Sequence, residues 1–231
     1  MSIIFETAIE ESWRQVSRRF LSSPTMRRLQ GCNILRDHYA SYLRETYFYT
    51  RENAQLQAMC TAFFKSAQRD MVKSFLRHAS SEVGHEKLAL ADLDVLGYET
   101  QGLAEDEPLE STILFTAFPH YAIIHRSEIS YLGYLYFLEH LPTSVGESIA
   151  KTLTDIGIPV SAMSFLREHQ SVDIGHNKMM KHYISSFILS ENDLYEFTYC
   201  LSVVGHSFEY MLSGAFRAAD EGFSMFRRSA R

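Results

Sequence analysis

The sequence predicts an all-α protein, a single compact bundle of long helices, and two observations carry that prediction. Only five prolines and eleven glycines interrupt 231 residues, too few for many short strands joined by turns. Hydrophobic residues make up 46% of the chain and recur at helical spacing through most of it, which supplies the apolar faces a helical core needs. No linker divides the chain and no internal repeat is evident, so residues 1–231 read as one domain.

In chain order, Phe5, Ile9, Trp13, Val16 and Phe20 set a first amphipathic helix over 5–21, ended by Ser22-Ser23-Pro24. A second runs from about Met26 to Arg51; one face of it carries His38, Tyr42, Glu45, Tyr49 and Glu52, an aromatic stripe with polar tips that also suits a core edge. A short helix over 54–65 and a long one over 70–96 follow, the latter stopped by Gly97. Residues 99–107 are acidic and loop-like. Helix resumes from Leu109 to Leu141, with Pro119 starting or kinking a segment and Pro142 ending it. A helix over 145–156 breaks at Gly157, and Pro159 opens the next, which extends to about Phe187. Ser190 and Asp193 are spaced as a capping box for the last helix, which reaches about Ala219.

The net charge of -6, without a basic stripe, argues against nucleic acid. The longest near-apolar run, Tyr131 to Leu138, falls well short of the roughly 20 residues that span a bilayer, so no membrane partner is expected. The amino terminus has no basic region or cleavage pattern. Cys32, Cys60 and Cys200 are odd in number and widely spaced, which indicates neither a disulfide framework nor a metal knuckle, and a reducing cytoplasmic location is the default.

The chemistry concentrates at His169, Asp173 and His176. Their i, i+4, i+7 spacing puts all three on one helix face, and two imidazoles with a carboxylate suit iron, manganese or zinc. His78, Glu82 and His85 repeat that spacing on the helix over 70–96. Glu139 follows the apolar stretch Tyr131–Leu138, where a carboxylate has to be paired, protonated or metal-bound. Glu128, roughly three turns earlier, competes for the same role and is about 16 Å away along the axis. Three helices thus offer ligands, enough for two metal ions and a bridging carboxylate.

With these motifs the chain resembles the haem-oxygenase-like diiron oxidases, a family whose fold is a bundle of about seven helices shared with TenA-type and pyrroloquinoline-quinone synthase proteins. The resemblance covers nearly the whole chain. It makes His85, which precedes a helix end at Leu96-Gly97, and Glu139, 54 residues later, metal ligands, with Glu139 the bridging one. The carboxylate that accompanies the histidine varies among members; here Glu82 stands three residues before His85, and the position seven before it holds His78, where a carboxylate is often found. That histidine is similar to the nitrile-forming member that acts on a halogenated tryptophan. Haem oxygenases proper carry a proximal histidine in the first helix, absent before His38, and TenA thiaminases a mid-chain cysteine, absent from Tyr131–Glu139.

The resemblance implies two iron ions as cofactors, dioxygen and an external reductant as co-substrates, and oxidation of an amino-acid-type substrate by N-oxygenation or carbon–carbon cleavage. Metal ligands are then expected among His78, Glu82, His85, Glu139, His169, Asp173 and His176. Glu45 and Glu82 are the candidates to accept the substrate's proton. Arg44 and Arg126 are the candidates to anchor its carboxylate, because guanidinium pairs with carboxylate in a bidentate way, and Tyr42 is a candidate for the pocket wall. A homodimer is compatible with the sequence. The reading from another class is a helical interaction protein, related to the death-domain-associating member, that holds metal without oxidase turnover.

Overall fold

The computed structural model describes the backbone of residues 3–222 and their side chains, apart from the side chains of residues 170–177. Asp173 and His176 therefore lie outside the described side chains. Nine α-helices occur among the described residues, more than the seven or so that the resemblance implied: α1 Ile3–Leu21, α2 Pro24–Gln30, α3 Arg36–Cys60, α4 Val72–Glu82, α5 Glu86–Val95, α6 Glu110–Tyr121, α7 Glu128–Asp155, α8 Ser164–Phe187 and α9 Glu191–Asp220.

The extra helices come from breaks that periodicity hid. The stretch over 26–51 is two helices, because the chain turns at Gly31 and Cys32, the latter at φ 54°. His38 then restarts the helix by accepting the Leu35 amide at 2.9 Å, and α3 continues to Cys60, absorbing most of the expected short helix. The stretch over 70–96 divides at Val83 and Gly84. Gly84 sits at φ +98°, a backbone conformation that a residue with a Cβ adopts only under strain.

Pro142 does not end its helix. It frees one backbone carbonyl inside α7, but Val145 and Leu153 on the following turns are buried, and that burial carries the helix through to Asp155. Pro119 likewise lies inside α6, after which a π-type turn over 122–126 leads to Ser127. Ser127 caps α7 by accepting the Ser130 amide at 3.2 Å. The Ser190–Asp193 box forms as the sequence predicts, with the Ser190 amide donating to Asp193 at 2.9 Å and the Asp193 amide to Ser190 at 3.2 Å.

Helix α7 packs against α8 on one side and α9 on the other, and α3 meets α4, α5, α6 and α9. The α7–α9 contact is close enough to require glycine: a Cβ on Gly133 would lie 2.7 Å from the Phe197 carbonyl oxygen and 2.8 Å from the Leu201 amide nitrogen. Tyr131, Tyr134 and Phe137 fill the centre. No helix among the described residues is long and apolar enough to cross a membrane.

Candidate metal centre

The last turn of α4, the first residue before α5, the middle of α7 and the first half of α8 converge on one point. From α4 come His78 and Glu82, both buried. The Gly84 turn swings His85 back toward the same carboxylate, so Glu82 is shared between two histidines: Oε1 lies 3.7 Å from His78 Nε2, and Oε2 lies 3.2 Å from His85 Nδ1. Glu139 enters from α7, its Oε1 3.1 Å from His78 Nε2. From α8, the His169 ring stands edge-on to that of His85 with centroids 5.1 Å apart.

Two groups of ligand-type atoms result, each with all its atoms within 4.8 Å of one another: His78, Glu82 and Glu139, and Glu82, His85 and His169. Glu82 belongs to both. Among the described side chains Glu82 is the carboxylate common to both groups, and Glu139, which the resemblance makes the bridging one, stands in one of them. Both triads offer imidazole nitrogen and carboxylate oxygen, the donor set that suits a first-row metal such as iron.

The protonation pattern fits that use. His169 Nδ1 lies 2.8 Å from the Phe165 carbonyl, which only accepts, so Nδ1 carries the hydrogen and Nε2 is the nitrogen left for a ligand role. Burial lowers the pKa of His169 and keeps the ring neutral. His85 is pushed the other way, chiefly by its hydrogen bond to Glu82, with burial opposing. The Tyr183 phenol, in ring contact with His78, is held neutral first by burial and then by the Glu139 charge.

Asp92 holds the centre together without belonging to it. From the far end of α5 it accepts the amide of Ser164 at 2.8 Å, the hydroxyl of Ser164 at 2.7 Å and the amide of Phe165 at 2.9 Å. It therefore caps α8 from another helix and fixes the start of the helix that carries His169. Sequence reasoning passed over this residue. The available signal was a lone acid among Leu88, Leu90 and Leu93.

A cavity of about 110 Å³ is lined by Glu82, Glu139 and His169 together with mostly apolar side chains of α1, α2, α3, α7, α8 and α9. Tyr42 lines it, as expected. Arg44, Glu45 and Arg126 do not. Arg44 and Glu45 pair with each other at 2.5 Å. Glu45 also accepts the Leu109 amide at 3.0 Å and the Thr112 hydroxyl at 2.5 Å, and Arg44 donates to the Glu107 carbonyl at 2.8 Å; the pair ties α3 to the start of α6. Arg126 binds Glu196 through two nitrogens at 2.9 and 3.1 Å and stacks on Tyr199. Glu128 is buried beside Lys65, in neither triad.

Residues 40–196 match the family model described as iron-containing redox enzyme. No curated protein sequence matches the chain. Among solved structures, a domain of unknown function with a heme oxygenase-like fold from Shewanella denitrificans OS217 superimposes with a TM-score of 0.88 at 22% identity, over 96% of this chain and 97% of that one. A TenA homologue from P. horikoshii OT3 gives 0.75 at 12% identity, over 92% and 98%. A CADD-like protein of unknown function from Nostoc punctiforme PCC 73102 gives 0.71 at 13% identity, over 94% and 99%. At such identities the likeness is one of fold.

Proposed function

The chain belongs to the iron-containing redox enzyme family, and from that premise we propose that it is a dioxygen-dependent oxidoreductase that works with two non-haem irons. The observation that supports this reading is the pair of triads sharing Glu82. One ion would be held by His78, Glu82 and Glu139, the other by Glu82, His85 and His169, with Asp173 and His176 proposed as further ligands from α8. Ferrous ions in such a site supply electrons and open coordination positions to dioxygen.

The protein's own share is positioning, proton management and exclusion of water. His169 is set by its bond to the Phe165 carbonyl. His85, whose proton Glu82 stabilises, must release it on binding a metal, which couples metal uptake to pH. The apolar cavity keeps bulk water from the reacting end of the substrate. The same reading takes the chain as one cytoplasmic domain acting on a small molecule. It departs from the sequence expectation at the substrate: the anchors proposed for an amino acid, Arg44 and Arg126, are engaged elsewhere, so oxidation of an amino acid, and nitrile formation from a tryptophan derivative in particular, has no support from the cavity.

Anaerobic titration of metal-depleted protein with ferrous iron, followed by metal analysis and Mössbauer spectroscopy, tests the proposal. Two irons per chain are expected, with rapid dioxygen uptake on exposure to air. One iron per chain refutes the two-iron reading, and two irons inert to dioxygen would favour the metal-holding interaction protein.

A further inference from the structure

The cavity that includes Glu82, Glu139 and His169 of the metal centre is otherwise mostly apolar, and no lysine or arginine is among its lining residues. One face of α3 interrupts that wall. Thr50, Asn53 and Gln57 line the cavity, and their i, i+3, i+7 spacing puts them on one stripe of the helix. Thr50 and Gln57 are 2% and 1% exposed. The Thr50 hydroxyl oxygen and the Gln57 amide nitrogen are enclosed with no hydrogen-bond partner among the described residues. Asn53 is oriented by the Tyr134 hydroxyl, which donates to its Oδ1 at 2.8 Å and leaves the amide nitrogen as its remaining polar group.

Enclosing an amide without a partner costs about 1–3 kcal/mol, and an apolar side chain of similar length would serve the core better. Two such groups on one cavity wall, with the half-buried Asn53 amide between them, are accounted for by an occupant that supplies the missing partners. Its charge is constrained as well. Away from the proposed irons a carboxylate would meet no lysine or arginine along the cavity wall, and a buried unpaired charge is far more costly than a buried dipole, so the group facing α3 is uncharged. The volume, about 110 Å³, compares with the roughly 150 Å³ of a cavity that takes up benzene, so the enclosed part of the occupant is small.

We propose that Thr50, Asn53 and Gln57 bind an uncharged hydrogen-bonding group, of the amide or ketone type, on an otherwise apolar substrate. The amide nitrogens of Asn53 and Gln57 donate to its carbonyl oxygen. The Gln57 terminal torsion is soft, so it turns to meet the ligand. The apolar remainder lies along the cavity wall toward Glu139 and Glu82. This inference rests on the proposal that the cavity serves the metal centre.

Equilibrium dialysis of octanamide against protein loaded anaerobically with ferrous iron tests it. Saturable binding at one molecule per chain is expected, with octylammonium bound at least tenfold more weakly. Asn53→Leu and Gln57→Met should each weaken octanamide binding about tenfold, the loss of one hydrogen bond, while Gln57→Met keeps or raises the melting temperature. Unchanged octanamide affinity in both variants, or octylammonium bound as tightly as octanamide, overturns the proposal and makes the stripe a purely structural feature. Iron content measured on the same samples separates the two ideas. A loaded protein that ignores octanamide sinks only the ligand site, and octanamide bound by a protein that takes up no iron sinks only the two-iron reading.

Discussion

Two buried acids of this chain, Glu45 and Glu139, sit in equally enclosed places and are handled in opposite ways. Glu45 is surrounded by partners that cannot leave: the Arg44 guanidinium, the Leu109 amide and the Thr112 hydroxyl. Glu139 faces the imidazole of His78, with Glu82 near the same ring nitrogen, and imidazoles exchange protons and bind metals near neutral pH. A buried carboxylate marks reactive chemistry when its neighbours are exchangeable, and architecture when they are fixed.

The contrast predicts opposite phenotypes. Glu139→Gln is expected to lower iron content by at least one ion per chain and dioxygen uptake by about a hundredfold or more, with the metal-free protein destabilised less than by Glu45→Gln, because Glu82 stays beside His78 and one of two neighbouring carboxylate charges is removed. Glu45→Gln leaves Arg44 buried without its counter-charge and should cost about 3 kcal/mol, with iron binding per folded molecule retained. Denaturant titration and metal analysis on both variants decide the matter; iron loss in the Glu45 variant with no loss of stability would break the distinction.

Smaller effects sharpen it. Asp92→Ala removes the cap of α8 and is expected to cost about 1–2 kcal/mol, and because the same helix carries His169 the variant should also bind iron more weakly. A variant that is destabilised yet binds iron normally would make Asp92 a cap and nothing more. Gly133→Ala should destabilise by about 1–3 kcal/mol through overpacking of α7 on α9, whereas in an exposed helix that substitution stabilises; a melting temperature that rises would contradict the close approach.

The smallest effect is at Asp220. Its carboxyl is held well below the usual carboxylate range, first by Arg28 and then by His38. The folded state therefore resists protonation that the unfolded chain accepts near pH 4, so the contribution is complete above that pH and is lost as pH falls further. Because the Asp220 side chain is 46% exposed, screening limits the contribution to under about 1 kcal/mol. Asp220→Asn should lower the melting temperature by a few degrees at neutral pH and leave it equal to the parent's under strongly acidic conditions. A constant difference across pH would remove the ion pair as its cause.

The helical class was legible because apolar periodicity reports burial directly, and the Gly97, Gly157 and Ser190 boundaries because caps are local chemistry. The divisions at Gly31–Cys32 and Gly84 were not, since a helix pattern survives a break that preserves the phase of its apolar face. His78, Glu82 and His85 were read as one face of a single helix over two turns; their convergence on Glu82 depends on the break between them. Arg44 and Glu45 misled for a related reason. What surrounds Glu45 is Leu109 and Thr112, more than sixty residues away, and no local pattern announces which distant amide a buried acid will meet. Glu139 was readable because its apolar context is contiguous in sequence.

The Asp92 clamp has a consequence for how this scaffold diverges. Because α5 grips the first turn of α8 directly, the register between His85 and His169 is tied to Asp92 as well as to the packing of α8 on α7. Within the connector over 156–163, Ile158, Ala162 and Met163 are buried and the Ala162 carbonyl accepts from Tyr39, so length changes are tolerated best at its exposed positions, such as Val160. The separation between two ligands is thus inherited from a helix cap, and new surface can grow only where the core leaves the chain outside.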